Sequence, residues 1–394
     1  MSPPAKAKKK PSAKKKPSAK QAKSGAKTTK ATPKAPRVEA PRVEASTVPA
    51  EASAGPGAVE ICIRSAAYHF PENGISTAML VLNEQPHRVF FLRERRNIGV
   101  KYVHTAGPND TPSSLATQAA LNALAKADVD AATLDMVVSA SCTPPDFDMW
   151  SMPTKVAKNI GATRAECFGI GEAGCASAFA AMRVLVPMMK AEGGPRRVLL
   201  VAGCVTPGGH FFPPATIYGD GAGAILLERC PSTELSGPRV VRADYYTDCQ
   251  YIDSFGPIAG LSKLRADGHL VPADWTVRIR DVEQMEVLIQ TTAERGAVVI
   301  DKTLKKANWT PGELRWLILD NVAAVVPTVM AEIFSLPEEK VLLKNIWRFG
   351  HAWVVDMFVN LATIFDEFPL EKGDRLVAAG MGQGEHWGVL LLEN

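Results

Sequence analysis

The sequence predicts an α/β protein built from two copies of one unit, preceded by a basic tail. Two observations predict it. From Gly57 onward, apolar strand-like runs alternate with helix-prone runs, the pattern of α/β chains. Strand, turn, helix, strand and glycine-rich hairpin then occur in the same order near residues 134–228 and again near 314–393. A period this long reads as two fused copies of one fold, not as a solenoid. The expected organisation is a tail over 1–56, a first half over 57–235 and a second half over 236–394.

The tail carries twelve Lys and two Arg against three Glu, with no aromatic residue. Its net charge of +11 leaves −7 on the remainder of a chain whose total is +4. It repeats Lys-Lys-Lys-Pro-Ser-Ala at 8–13 and 14–19, and Pro-Arg-Val-Glu-Ala at 36–40 and 41–45. Such a segment buries too little apolar surface to offset the entropy of ordering, so disorder is expected. It can hold nucleic acid or an acidic partner electrostatically. The favoured reading is a solvated extension without a dedicated ligand. The chain opens without the apolar stretch of a secretory signal, and no run is long and apolar enough to span a bilayer. Seven cysteines, an odd number without Cys-x-x-Cys spacing, point to a reduced, cytoplasmic protein with no zinc site.

In chain order, Val59–Ala67 reads as a strand, Pro112–Lys126 as a helix, Leu134–Ser141 as a buried strand and Met152–Ile160 as a short helix. Gly169–Ala180 follows, with glycines at 169, 171 and 174 ahead of Cys175, and a helix-prone run from Ala176 to Lys190. Arg197–Gly203 is the next strand. A glycine turn at 218–224 then runs into the strand Ile225–Glu228. The second half offers a long helix over Val282–Lys306, a strand over Leu314–Leu319 and a helix over Pro327–Phe334. Gly350-His351 opens a helix reaching about Glu367. Arg375–Gly380, the glycine run 380–388 and Val389–Glu393 close the chain.

Glycines allow the backbone angles that turn a strand into a helix. Cys175 is therefore expected at a helix N-terminus, where free amide N–H groups favour a thiolate. The bland alternative is a small core cysteine. His351 opens the corresponding helix of the second half. If the halves pack about a pseudo-twofold axis, the two helix starts meet, and thiol and imidazole form a nucleophile–base pair.

Residues 57–394 resemble the thiolase fold, and within it the β-ketoacyl-acyl-carrier-protein synthase III group. Four features carry the resemblance: the Cys175 turn, Tyr218-Gly-Asp-Gly-Ala-Gly-Ala224, the Gly350-His351 turn, and Gly382-Gln-Gly-Glu-His-Trp-Gly388. The resemblance implies a duplicated five-layer α-β-α-β-α architecture, a homodimer, and an acyl group loaded onto Cys175 from acyl-CoA or an acyl carrier protein. It departs from the group at two positions. Ketosynthases pair the cysteine with a His in a Pro-His-Gln-Ala-Asn segment and an Asn in a Gly-Asn turn. Here Asp320 stands in place of that His and His351 in place of that Asn, which puts decarboxylative condensation in doubt.

A branch of synthase III-like acyltransferases from antibiotic pathways is similar in placing His at the Asn position, with Asp five residues later. Asp356 has that spacing. Five residues on a regular helix turn through about 500°, so the pair requires His351 to precede the first regular turn. Asp356 could otherwise be a first-turn carboxylate interacting with the helix dipole.

The resemblance thus implies an acyltransferase in which Cys175 attacks an acyl thioester, backbone N–H groups of Cys175 and Gly384 hold the oxyanion, and His351, oriented by Asp356, deprotonates an acceptor hydroxyl or amine. Neither metal nor redox cofactor is expected. Asn321 is a candidate for positioning a carbonyl. The acyl pocket is expected near Thr143–Met152, with Phe147 or Met149 lining the partner's pocket in a dimer or simply filling its interface. Arg93, Arg95, Arg96 and Lys101 form one candidate phosphate-binding cluster, and Arg278 and Arg280 another. The rival readings are a decarboxylating ketosynthase or starter-unit loader, and a non-catalytic scaffold.

Overall fold

The computed structural model describes residues 58–83, 96–147, 149–206, 210–212, 216–257 and 277–394. The basic tail, Arg93 and Arg95 lie outside them. In the first half, β1 (Val59–His69) precedes α1 (Pro112–Ala127), β2 (Met136–Ala140), α2 (Met152–Ile160), β3 (Glu166–Ile170), α3 (Ser177–Lys190), β4 (Arg197–Cys204) and β5 (Gly221–Pro231). The second half has β6 (Arg239–Thr247), α4 (Val282–Lys306), β7 (Leu314–Leu319), α5 (Val325–Ile333), α6 (Lys344–Phe349), α7 (Asp356–Glu367), β8 (Arg375–Gly382) and β9 (His386–Glu393).

The strands run in the order β7-β8-β9-β6-β1-β5-β4-β2-β3. The duplication is visible in the pairing. β2 runs parallel to β4, which is antiparallel to β5, which is antiparallel to β1. In the same way β7 runs parallel to β8, β8 antiparallel to β9, and β9 antiparallel to β6. The counterpart of β3 shrinks to one parallel bridge, Leu317 to Val341. The half-sheets meet where Cys62 of β1 pairs with Arg239 of β6.

Side chains alternate across each strand, and here both faces are covered, so the strands read as nearly unbroken apolar runs. Val137, Leu199, Val201 and Leu226 face α1 and α2. Leu317, Val377, Val389 and Leu391 face α4 and α5. Their alternating neighbours Val138, Leu200, Ile225, Ile318, Ala378 and Leu390 join one central cluster with α3 and α7. Those are the five layers.

The central helices seat their first turns by the same device. A Cβ at Gly223 of β5 would collide with Phe358, the third residue of α7, and one at Gly388 of β9 with Phe179, the third residue of α3. Each glycine therefore marks a helix docking close onto a strand. For that reason residues 221–224, expected as a turn, already belong to β5. Among the described residues no helix is long and apolar enough to cross a membrane.

Candidate active site

Cys175 lies in a single 3₁₀ turn, Gly174–Ala176, directly before α3. Gly174 has φ +54°, a conformation that favours glycine. A Cβ there would strike the backbone of Gln383, and a Cβ at Gly382 would lie 2.9 Å from the Cys175 amide nitrogen. The cysteine turn and the terminal glycine turn thus pack backbone to backbone, which only glycine permits on both sides.

His351 follows Gly350, whose φ is +65° and whose Cβ would fall 2.9 Å from the Ile217 carbonyl oxygen. The His351 amide donates to that carbonyl at 3.1 Å, and its own carbonyl accepts from Gly219 at 3.0 Å. The segment containing Tyr218 therefore fixes the histidine backbone. Between His351 and α7 stands another 3₁₀ turn, Trp353–Val355, which begins with Trp353 at φ +59°. This irregular entry resolves the spacing problem, because His351 precedes the first regular turn. His351 Nδ1 lies 2.6 Å from Asp356 Oδ2 and Nε2 lies 3.2 Å from Cys175 Sγ. With Nδ1–H donating to Asp356, Nε2 is left to accept the thiol proton.

Asp356 is fully buried, so its carboxylate needs donors. The Ala352 amide supplies one to Oδ1 at 2.7 Å, and the Asn321 amide another to Oδ2 at 2.6 Å beside the imidazole. Asn321 therefore acts here through its backbone. Its side-chain oxygen accepts from Asn360 at 3.1 Å, and Asn360 also donates to the Leu319 carbonyl at 2.9 Å. Asp320, at the ketosynthase histidine position, accepts from the Met381 amide at 2.8 Å. Burial, aided by the Asp356 charge, raises its pKa to about 8.

Cys175 stands directly before α3 as expected, but its other neighbours act against the thiolate. A hydrogen bond from Cys142 pulls the Cys175 thiol down, but burial and the Asp320 and Asp356 charges outweigh it, so the thiol is held above its ordinary value. Burial pushes His351 down, yet the charge and hydrogen bond of Asp356 raise it above the usual imidazole range. Burial and the carboxylate charges thus hold the thiol up, while Asp356 strengthens His351 as the base beside it.

Cys175 and His351 open on an apolar cavity of about 530 Å³. Its wall comes from Met285, Leu288 and Ile289 of α4, from Val322, Ala323, Val325 and Val326, and from Trp353 stacked on Tyr218 at 3.8 Å. This differs from the expected pocket at Thr143–Met152. Among the described residues of that segment none lines the cavity, though Cys142 just before it does, and Phe147 and Met149 stand 68% and 106% exposed on a surface loop.

Gly384 does not line the cavity either. It has φ +93° and abuts the His386 ring, whereas Met381 and Gln383 form the wall. Arg96, Lys101 and Arg280 are exposed. Arg96 neighbours the cavity residues Asn97 and Ile98, Lys101 sits over the Trp347 ring, and Arg280 approaches Gly256. The side chain of Arg278 lies outside the described residues.

Sequence reasoning missed Cys142, Tyr218, Trp353 and Gln383. The glycines at 382 and 384 were a signal that something packs against the backbone between them. Among the described residues no His, Cys, Asp and Glu group is arranged to hold a metal.

Behind the terminal turn Glu385 is fully buried at φ +54°. Burial, opposed by Arg295 and reinforced by Asp248, raises its pKa to about 8. An unfolded glutamate titrates near 4.3. Between those values the folded state holds a proton the unfolded state has lost, so stability falls as pH rises from about 4 to about 8. Glu385→Gln cannot ionise. Its stability relative to the parent is expected to climb across that window, by at most about 1.4 kcal/mol per pH unit, and its thermal midpoint to rise with it. Parallel stability–pH curves for the two proteins would remove this assignment.

Comparison with known proteins follows the same lines. A family model of the 3-oxoacyl-(acyl-carrier-protein) synthase III C-terminal region matches residues 304–394. The beta-ketoacyl-(acyl-carrier-protein) synthase III of Rhodobacter capsulatus is 28% identical over 308 residues, spanning 76% of this chain and 89% of the relative. That of Paracoccus denitrificans is 27% identical over 301 residues, spanning 76% and 89%. The structure of FabH, the synthase III of Pseudomonas aeruginosa PAO1, superposes with a TM-score of 0.69 at 22% identity, covering 85% of this chain and 98% of that one. A structure described as ChlB3 (Aceyltransferase) gives 0.70 at 21% identity, covering 85% and 97%. In its strand order, its cysteine and glycine turns and these matches, the chain is similar to the β-ketoacyl-acyl-carrier-protein synthase III proteins and has the thiolase fold.

Proposed function

We propose that the protein is an acyltransferase that takes an acyl group from acyl-CoA or an acyl carrier protein onto Cys175 and passes it to a hydroxyl, amine or other small-molecule acceptor. The observation that carries this is the unbroken line Cys175–His351–Asp356, 3.2 Å and 2.6 Å between successive polar atoms. His351 removes the thiol proton as Cys175 attacks the thioester carbonyl, and Asp356 holds the imidazole in the tautomer that does so. The oxyanion falls to backbone N–H groups of the packed turns, those of Cys175 and of the Gly382–Gln383 segment. After the first thiol leaves, His351 deprotonates the acceptor. Thiol, imidazole and carboxylate suffice for both steps, and acyl-CoA or acyl-phosphopantetheine enters as substrate. The apolar wall suits an acyl thioester arm, which needs few polar contacts.

Relatives named as ketosynthases favour condensation as a second reading. Against it stands Asp320, a carboxyl that burial and the Asp356 charge hold above the usual carboxylate range and that accepts from the Met381 amide, where a ketosynthase carries an imidazole. Incubation with a panel of acyl-CoAs, followed by intact-protein mass spectrometry, tests the reading. One acyl mass retained on Cys175 and discharged by an added acceptor is expected. Carbon dioxide released from a labelled malonyl donor would select the ketosynthase instead. A homodimer in the cytoplasm, with the surface loop of Phe147 and Met149 meeting the partner, belongs to the same proposal.

A further inference from the structure

Cys175 has thiol company that acyl transfer does not use. Cys142 follows the end of β2 and lines the same cavity. Ser177 Oγ donates to the Ser141 carbonyl at 2.9 Å, which holds the segment of Cys142 against the Cys175 turn; the Cys142 sulfur accepts from the Val354 amide at 3.4 Å and lies 3.9 Å from Cys204 Sγ. Cys204 is fully buried and does not reach the cavity. A small oxidant entering the cavity therefore meets two neighbouring thiols, and only one of them has a base.

We propose that Cys142 and Cys175 are a modification site for peroxides: oxidation of Cys175 ends in a Cys142–Cys175 disulfide that closes the active site reversibly.

The order of events follows from the neighbours. His351 Nε2, 3.2 Å away, can take the Cys175 proton, whereas Cys142 is bordered by two thiols and the Val354 N–H. Burial also pushes the Cys142 thiol well up, which keeps it protonated and slow toward peroxide. The Cys175 thiolate attacks one peroxide oxygen. The S–O bond forms, the O–O bond breaks, the sulfur is oxidised to sulfenic acid, and the departing hydroxide regains the His351 proton as water. The Cys142 sulfur then attacks the sulfenic sulfur, forming S–S and breaking S–O, and its proton leaves with the hydroxide as a second water. Two thiols and one peroxide become one disulfide and two waters. The neighbour matters because an unpaired sulfenic acid continues to sulfinic acid, which thiols do not reduce. Cys142 diverts that fate into a bond that thiol reductants reopen.

The test uses the full, reduced chain treated with hydrogen peroxide, quenched with catalase, and alkylated. A non-reducing peptide map is expected to show Cys142 linked to Cys175, with a mass lower by two hydrogens. Alkylation of Cys175 should disappear on oxidation and return after dithiothreitol. In Cys142→Ser, each preparation being scored against its own untreated sample, peroxide should still consume Cys175 but dithiothreitol should not restore it, and sulfinic acid should accumulate. A Cys142–Cys204 link, or recovery in Cys142→Ser equal to the parent's, overturns the proposal. Should the variant fail to fold, the parent's peptide map decides alone. Neither readout uses an acyl donor, so a failed acyltransferase assignment is told apart from a failed thiol pair.

Discussion

Replacing Cys175 by alanine is expected to abolish acyl-enzyme formation and leave the fold in place. The sulfur lies 3.2 Å from His351 Nε2 in a residue that lines the cavity, so its loss removes the nucleophile, not a fraction of its reactivity. In a triad whose members act as a unit, such a loss costs about 10⁶-fold in turnover. The structural cost is small. The change replaces a thiol by a hydrogen at the edge of the central cluster, and the 3₁₀ turn is held by Gly174 and Gly382, not by the side chain. A stability change within about 1 kcal/mol is expected. Intact mass after incubation with acyl-CoA and a thermal melt decide the matter together. An acyl adduct retained on Cys142 or Cys204, with the melt unchanged, would show that the wrong thiol had been assigned.

Much of this site was legible because the sequence repeats a plan. The strands β2 and β7 and the helix α4 fall close to their expected bounds, since apolar runs buried on both faces leave an unmistakable pattern. The meeting of Cys175 and His351 followed from pseudo-symmetry alone. β3 and β6 were not seen. β3, Glu166–Ile170, is an edge strand whose residues are exposed or only partly buried, and β6 mixes Arg and Asp with its apolar positions, so neither shows a clean period. α6 is a six-residue helix, too short to be periodic. The oxyanion was expected at Gly384, whereas Gln383 of the same hairpin is the residue that lines the cavity. Glycine composition marks a close approach, but which residue makes it depends on packing against Gly174. The wall that α4 gives to the cavity was not foreseen for a related reason. Met285 and Leu288 are helix residues that pattern identically whether they face a core or a hole.

His351→Asn and Asp356→Asn are expected to stall the second step, and the structure sharpens how they differ. His351→Asn removes the base, a loss of about 10²–10⁴-fold in acyl transfer to the acceptor. Because the Cys175 thiol is held above its ordinary value, loading slows too. Raising the pH should restore loading, as hydroxide replaces the base for the thiol, and acyl-enzyme should then accumulate because transfer remains slow. The variant should not gain condensation, since Asp320 still occupies the ketosynthase histidine position and still accepts from Met381. Asp356→Asn is not a mild version of this. Both carboxylate oxygens already accept N–H groups, from Ala352, Asn321 and His351, so an amide must turn its own NH₂ toward a donor. If that donor is His351, the ring adopts the other tautomer and presents N–H to the thiol, and a loss approaching about 10⁴-fold follows. If it is a backbone amide, a buried donor goes unpaired at a cost of about 1–3 kcal/mol in stability. Asp356→Asn therefore loses either rate or stability by a large amount, while His351→Asn loses rate and recovers loading at high pH. Discharge of a pre-formed acyl-enzyme at the parent rate in both variants would mean that His351 is not the base, and the Cys175–His351–Asp356 assignment would fall with it.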